Sequence, residues 1–437
     1  MNSNDAYEDV PRGLERREFL SAGAGAAVGL AGAVGLACRP PDAPRRNPVS
    51  TFGGGPNTEA SLDDNIYTRL LGVRPHLGAH EHITTLGGCR MPPEIMQAMV
   101  EANDYFVDMH ELTAAAGKRV AELMGAEAAL ITAGGFSAML LGAAACLTGT
   151  DQTKMEQLPH PTWPKRDCLI QMAHRFSYDN AYSAAGMNLV YAETREGLIE
   201  RIDENTAMLA AVTAVERGFP VAPPKPRNRT QPPDASVIMP VELIDIGKQA
   251  GVPVLIDAAS DLPPRSNLTR YIDAGADLVV ISGGKGLLGP QSTGILAGRR
   301  DLIEAAALQA SPNDHIGRGM KVGKEEIIAL VVALERFVAL DEQGEIARWN
   351  TRARRLADAL QGIPGVSAAY AVNTSGYADV DLSWDEAVVG LSQREVKQRL
   401  RDGVPRVIYD GTTVRTRLLR DGEEILVATR VREVLER

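Results

Sequence analysis

The chain has 437 residues, 44% of them hydrophobic, with 46 Lys and Arg against 56 Asp and Glu and a net charge of −10. That is enough apolar material for a large core in two packed domains, and the acidic balance speaks against a surface built to neutralise nucleic-acid phosphates. Four cysteines, Cys38, Cys89, Cys146 and Cys168, lack the spacing of a zinc site or a disulfide framework, and the last three read as small buried hydrophobes.

Residues 1–38 differ in kind from the rest. Arg16-Arg17-Glu18-Phe19-Leu20 leads into SAGAGAAVGLAGAVGLAC, an uncharged Ala/Gly stretch as long as a signal-peptide core. Interior glycines cost a helix roughly 0.5–1 kcal/mol each relative to Ala, which argues against a helix with a face in a core. The segment resembles a twin-arginine export signal, so a periplasmic or exported protein is expected, touching the membrane only in transit. It is too short and too weakly apolar for a permanent span. Lipidation of Cys38 is the lesser reading, because Gly35 stands where Leu is usual. Residues 39–60, rich in Pro, Gly and Asn, read as a linker.

From Leu62 onward, short aliphatic runs alternate with helical patterns. Ala128–Thr132, Cys168–Met172, Leu189–Ala192, Ala207–Ala214, Pro253–Asp257, Asp277–Ser282 and Gly294–Ala297 read as strands buried on both faces. Glu111–Met124, Ser137–Cys146, Tyr178–Ala185, Glu196–Ile202 and Val241–Gln249 read as helices between them. Such alternation predicts an α/β fold, a mostly parallel sheet flanked by helices with right-handed crossovers. Ala222–Ala235, rich in proline, reads as a surface loop near the mouth of a site. Helices over Lys324–Leu340 and Gln343–Leu360 follow, then segments at Tyr377–Trp384, Ser392–Leu400 and Glu423–Glu436. The division expected is a large domain over 61–320 and a small α+β domain over 321–437.

Two strand ends carry the chemistry. In VLIDAASDLPP, Asp257 closes a buried strand at the edge where open parallel sheets bind ligands. A buried carboxylate needs a cationic partner, and a protonated pyridine nitrogen supplies one. In DLVVISGGKGLLGPQSTGIL, a strand runs into Ser282-Gly283-Gly284-Lys285, which places a lysine on a glycine-bent loop instead of a solvated helix face. Confined beside a cationic cofactor, Lys285 has its pKa lowered and can form an imine. The pair, 28 residues apart, points to pyridoxal 5′-phosphate with Lys285 as the Schiff-base lysine. Thr132-Ala-Gly-Gly-Phe-Ser137 joins a strand to an Ala-rich helix, so its free N–H groups and helix dipole suit the phosphate, with Ser137 as a side-chain donor. His174, in Gln171-Met-Ala-His174-Arg175 after another strand, is placed to stack on a cofactor ring.

At these residues the chain resembles the family of bacterial selenocysteine synthase (L-seryl-tRNA(Sec) selenium transferase) and D-glucosaminate-6-phosphate ammonia-lyase. The stretch from about Leu71 to Glu436 is covered, through MPPEIMQAM, AGKRVAELMGAE, AHRFSYDNAYSAAG, SGGKGLLGPQSTGILAGRRDLI and IGRGMKVGKEEI. The resemblance implies the fold-type-I pyridoxal-phosphate architecture. It implies Lys285 for the Schiff base, Asp257 for the pyridine nitrogen, and His174 for stacking. Gly134, Gly135, Phe136, Ser137 and Ser282 would contact the phosphate, and Gln291 would sit in a loop near a neighbouring subunit's cofactor, hence a homodimer or larger assembly. Arg318 is the candidate grip for a substrate carboxylate.

One departure stands out: relatives carry an Asn-x-x-Gly-x-x-Thr type of segment where this chain has Gly78-Ala-His80-Glu81-His82-Ile-Thr84. Without a third separated ligand this does not read as a metal site, but it alters the substrate pocket. The function expected is elimination or replacement on a small amino acid or amino sugar acid, in the manner of an ammonia-lyase. Selenium transfer, aminotransferase chemistry and non-catalytic cofactor binding are the alternatives. Export and the acidic surface count against the first, whose substrate is a cytoplasmic polyanion. An Arg16→Lys/Arg17→Lys double substitution is expected to hold the protein in the cytoplasm; unchanged location on fractionation would refute the export signal.

Overall fold

Strand ends and their connections explain most of the architecture. The computed structural model describes residues 55–217, 236–373 and 375–436. The twin-arginine segment, most of the linker and the Pro-rich loop at 222–235 lie outside the described residues. The seven expected strands are present as β2 (Ala128–Thr132), β3 (Asp167–Gln171), β4 (Asn188–Ala192), β5 (Thr206–Val212), β6 (Val254–Asp257), β7 (Leu278–Ser282) and β8 (Gly294–Gly298), following a short β1 (Leu77–Ala79). They form one sheet in the order β2-β8-β7-β6-β5-β3-β4. Neighbours from β7 to β4 are parallel, and β8 runs antiparallel to both β2 and β7.

Strand alternation sorts the aliphatic side chains onto two faces. Val254, Ile256, Val279, Ile281 and Ile295 join one core, and Leu255, Leu278, Val280 and Leu296 join the other. Both faces are covered, which is why these runs are continuously apolar instead of alternating with polar residues. Helices Met109–Met124, Pro240–Ala250 and Lys324–Ala339 cover the first face; Gly134–Thr148 and Arg300–Gln309 cover the second. The expected helix at Tyr178–Ala185 divides into a 3₁₀ turn, Ser177–Asp179, and a short helix, Asn180–Ala184.

A third core gathers both ends of the described chain. Leu62, Leu77 and Ala79 pack with Leu356, Val380, Val396, Val427 and Val431. β9 (Val366–Val372), β10 (Ala378–Trp384) and β12 (Thr413–Val414) make an antiparallel sheet, while β11 (Val407–Tyr409) pairs in parallel with β1. Helix Lys324–Ala339 buries Ile327, Leu330 and Leu334 in the large-sheet core, and helix Glu342–Ala359 buries Leu356 in the third. The turn between them therefore links the large-sheet core to the third core, and the β1–β11 pairing brings residues 80–82 to the C-terminal arginines.

Gly117 shows how closely a helix lies on the sheet: a Cβ there would sit 2.3 Å from the Ala129 carbonyl oxygen. Gly117→Ala must push helix Met109–Met124 off β2, at a cost of about 1–3 kcal/mol. A lowered thermal midpoint is expected by calorimetry, and a wild-type midpoint would contradict this packing.

Candidate active site

Thr132 and Ser282 both align with Gly294, and Asp257 aligns with Val280 on one side and Val212 on the other. These registers bring the ends of β2, β6 and β7 to one sheet edge. Gly134, Asp257 and Lys285, far apart in sequence, share it.

The Lys285 turn is tightly held. Leu288 N donates to the Lys285 carbonyl at 2.9 Å, and Gly289 N to the Gly283 carbonyl at 2.9 Å. A Cβ on Gly284 would lie 2.3 Å from Gln291 Cα, and one on Gly286 2.3 Å from the Leu262 oxygen, so a larger residue fits neither position. Leu288, at φ 58°, is the one non-glycine positive-φ residue among the described residues. That conformation costs a leucine roughly 1–2 kcal/mol and is sustained by the surrounding turn.

The Lys285 ammonium has no hydrogen-bond or salt-bridge partner among the described residues. Burial lowers its pKa; Asp257 and Glu81 oppose that shift and Arg217 adds to it. Asp257 is 5% exposed, accepts a hydrogen bond from Ala259 N at 3.0 Å, and has its pKa raised by burial against the pull of Ala259 N–H, Lys285 and Arg217. A buried carboxylate and an uncommitted amine at one sheet edge fit the pyridine nitrogen and aldehyde of pyridoxal phosphate.

The phosphate end fits as well. Helix Gly134–Thr148 begins with no side-chain cap, which leaves its first-turn N–H groups free for an anion. Gly134 takes φ 83°, and a Cβ on Gly135 would meet Ala259 Cβ at 3.4 Å, so this turn adjoins the loop after Asp257. Ser137 corrects the expectation for its side chain: Oγ donates to the Ala133 carbonyl at 2.8 Å, spending its proton within the turn. Phe136 is 41% exposed, and Ser282, half-buried, ends β7.

His174 is braced by backbone. Nδ1 accepts from Val212 N at 3.1 Å and Nε2 donates to the Ile238 carbonyl at 2.7 Å. Burial lowers its pKa, both ring nitrogens are committed to backbone, and at 2% exposed the ring presents no open face, which departs from the stacking expected of it. Gln291 Nε2 donates to the Thr84 carbonyl at 3.1 Å and ties the Lys285 loop to the 84–88 segment of its own chain. Arg318 departs from expectation: its side chain is 47% exposed, pairs with Asp314 at 3.2 Å, and is absent from the cavity beside the Lys285 turn.

The buried cations at the site are Arg415 and Arg417, which sequence reasoning passed over. Their signal was two arginines at alternate positions directly after β12, a spacing that turns both to one side of extended chain. Glu81 bridges them, hydrogen-bonded to Arg417 and 2.9 Å from Arg415 Nε. Burial alone would raise the Glu81 pKa, but Arg417 and Arg415 bring it down to about 2. Burial, Arg417 and Lys285 take His82 down to about 3 against the pull of Glu81. A cavity of about 480 Å³ is lined by His82, Gly286, Leu288, Trp349, Arg352 and Arg417 among others.

Residues 236–361 match the class-V aminotransferase family. A 5′-C-glycyluridine monooxygenase-decarboxylase from a Streptomyces species is 34% identical over 77% of this chain and 82% of its own. D-glucosaminate-6-phosphate ammonia lyase from Salmonella typhimurium is 26% identical over 86% of this chain and 99% of its own. L-seryl-tRNA(Sec) selenium transferase from Moorella thermoacetica is 27% identical, over 49% of this chain and 43% of its own. Among solved structures, a D-glucosaminate-6-phosphate ammonia-lyase superposes with a TM-score of 0.73 at 25% identity, covering 85% of this chain and 98% of that one.

The neutral His82 makes a pH-dependent contribution to stability. Its ordinary pKa of 6.5 falls to about 3 on folding, so the unfolded chain takes up a proton that the folded chain refuses. Stability from His82 is full above 6.5 and is lost as pH falls toward 3. Between pH 6.5 and about 5, above the carboxylate range, wild type is expected to lose about 2 kcal/mol more than His82→Gln in denaturant titrations. The other depressed histidines act alike in both proteins; parallel pH profiles would contradict a buried neutral His82.

Proposed function

The chain belongs to the family of fold-type-I pyridoxal-phosphate enzymes that holds the 5′-C-glycyluridine monooxygenase-decarboxylase, and on that premise we propose that it acts by elimination or replacement on a small amino acid or amino sugar acid. The observation that carries this reading is Lys285, an amine without a hydrogen-bond or salt-bridge partner among the described residues, at the same strand edge as buried Asp257. Pyridoxal phosphate, when bound, supplies an electron sink for the pair left when a bond to the amine-bearing carbon breaks.

The protein's own groups would do the rest. Asp257 would pair with the ring nitrogen and hold its proton, a pairing that burial would make strong. Lys285, its pKa lowered, serves as the neutral base that takes the substrate's α-proton and returns it. First-turn N–H groups of Gly134–Ser137 would hold the phosphate. Arg417 and Arg415 take over the carboxylate grip first assigned to Arg318. Loss of ammonia or of a β-substituent would follow, as the name of the Salmonella relative indicates for that enzyme.

The Streptomyces relative favours a second reading, oxidative decarboxylation of a glycyl-bearing substrate. Selenium transfer draws less support, since the match to the Moorella enzyme spans 43% of that protein. A homodimer or larger assembly is proposed as well; exposed Ile66, Leu70, Leu71 and Phe106 offer apolar surface for a second copy. Export through the twin-arginine route belongs to the same proposal.

Purified protein is expected to show a cofactor absorption band that Lys285→Ala abolishes or displaces; a colourless wild type would sink the cofactor assignment for this chain. Incubation with amino acids and amino sugar acids should release ammonia without oxygen uptake. Oxygen consumption with carbon dioxide release selects the second reading, and accumulation of the amine form of the cofactor without ammonia selects transamination.

A further inference from the structure

Two guanidinium groups share one carboxylate beside the Lys285 turn. Arg415, 1% exposed, has other acids near it, Asp379 at 3.7 Å and Asp410 at 3.8 Å. Arg417, 7% exposed, has Glu81 as its direct ion pair, and the Tyr377 ring 4.3 Å from its guanidinium carbon. The acceptors do not match the donors. Arg417 Nε is buried without a hydrogen bond, and so are Arg415 Nε and Nη1. Each buried donor left unmet costs about 1–3 kcal/mol, so Glu81, with Asp379 and Asp410 farther off, leaves this seat under-filled.

Glu81 itself is anchored by its backbone and loose at its tip. His80 Nδ1 donates to the Glu81 carbonyl at 2.5 Å, and Ile83 N donates to the same oxygen at 2.7 Å. The other nitrogen of His80 faces His76 Nε2 at 3.0 Å, so the backbone here is pinned from two sides. The Glu81 side chain retains 33% of its surface, far more than either arginine. Its charge is within electrostatic reach of Lys285. A rotation of this one side chain vacates Arg417 without moving β1.

We propose that Glu81 is a resident stand-in for the substrate's carboxylate: it occupies Arg417 in the resting enzyme, and a substrate acid group binds by displacing it. This rests on the reading of Lys285 as the amine-binding lysine. It makes Glu81 a specificity-determining residue, because a neutral amine has nothing with which to compete for the seat. It also keeps Arg417 from standing as an unpaired buried charge between turnovers, a state that costs several kcal/mol. The substrate class selected is one whose amine and carboxylate lie close enough to span Lys285 and Arg417.

The test uses Glu81→Gln, with acetate as a probe of the seat and Trp349 fluorescence as the readout. Trp349 stands edge-on to Tyr377 at 5.7 Å, and Tyr377 carries Arg417, so occupancy of Arg417 should register there. Glu81→Gln is expected to bind acetate at least about tenfold more tightly than wild type. Adding Arg417→Gln should remove the gain, and Trp349→Phe should remove the signal. In the cofactor-loaded protein, serine should gain affinity by a similar factor by absorption titration, while ethanolamine, its counterpart without the carboxylate, should not. Equal or weaker acetate binding by Glu81→Gln overturns the proposal, for Glu81 would then orient the arginines and not compete for them. Glu81→Asp, with a shorter reach, should show an intermediate gain; if both variants lose their fold by circular dichroism, Glu81 is structural and the proposal fails. Acetate binding needs no cofactor, so a missing absorption band would count against the Lys285 reading alone.

Discussion

Burial acts on Asp257 and Lys285 in opposite directions, and much of the site depends on that opposition. The carboxylate is pushed up and the ammonium pushed down, each toward its neutral form, while each favours the other's charge. Neither is stable at a sheet edge by itself, and among the described residues Lys285 has no hydrogen-bond or salt-bridge partner to settle it. A ligand that presents a protonated ring nitrogen to Asp257 and a carbonyl carbon to Lys285 resolves both at once. The fold's part is to hold the two ends of β6 and β7 in register while keeping water from doing the same work.

That requirement explains the cost accepted in the Lys285 turn. A leucine at positive φ and glycines that no side chain could replace are signs of a loop held by its closing contacts and not by local preference. Gly283, Gly284 and Gly286 press against Thr293, Gln291 and Leu262. The lysine is thus mounted on a turn with little freedom, and what motion it has lies in its long side chain.

Much of this was legible in the sequence because the large sheet is buried on both faces. Continuous aliphatic runs such as VLID and LVVIS are signals that need no tertiary knowledge, and the residues following them, Asp257 and Lys285, sit at strand ends by necessity. Less legible were features that long-range pairing alone creates. Arg415 and Arg417 lie more than 300 residues from Glu81 and meet it because β1 pairs with β11. The charges of His80, Glu81 and His82 suggested a changed pocket, but not that one of them would neutralise two distant arginines. Arg318 misled for the opposite reason: its GRGMK setting is distinctive as sequence, yet the side chain is satisfied locally by Asp314, four residues away.

The site therefore has two halves built by different means. The cofactor half comes from neighbouring strand ends of one sheet, where registers fix geometry to a fraction of a residue. The half proposed for the substrate comes from a strand pair joining the two ends of the described chain, and its charges are balanced across that joint. His82 belongs to both: it lines the cavity with Gly286 and Arg417, and Lys285 and Arg417 help burial keep it uncharged. A further cation there would repel Lys285 and Arg417 alike and compete for Glu81, so neutrality of His82 is a condition for the two halves to coexist.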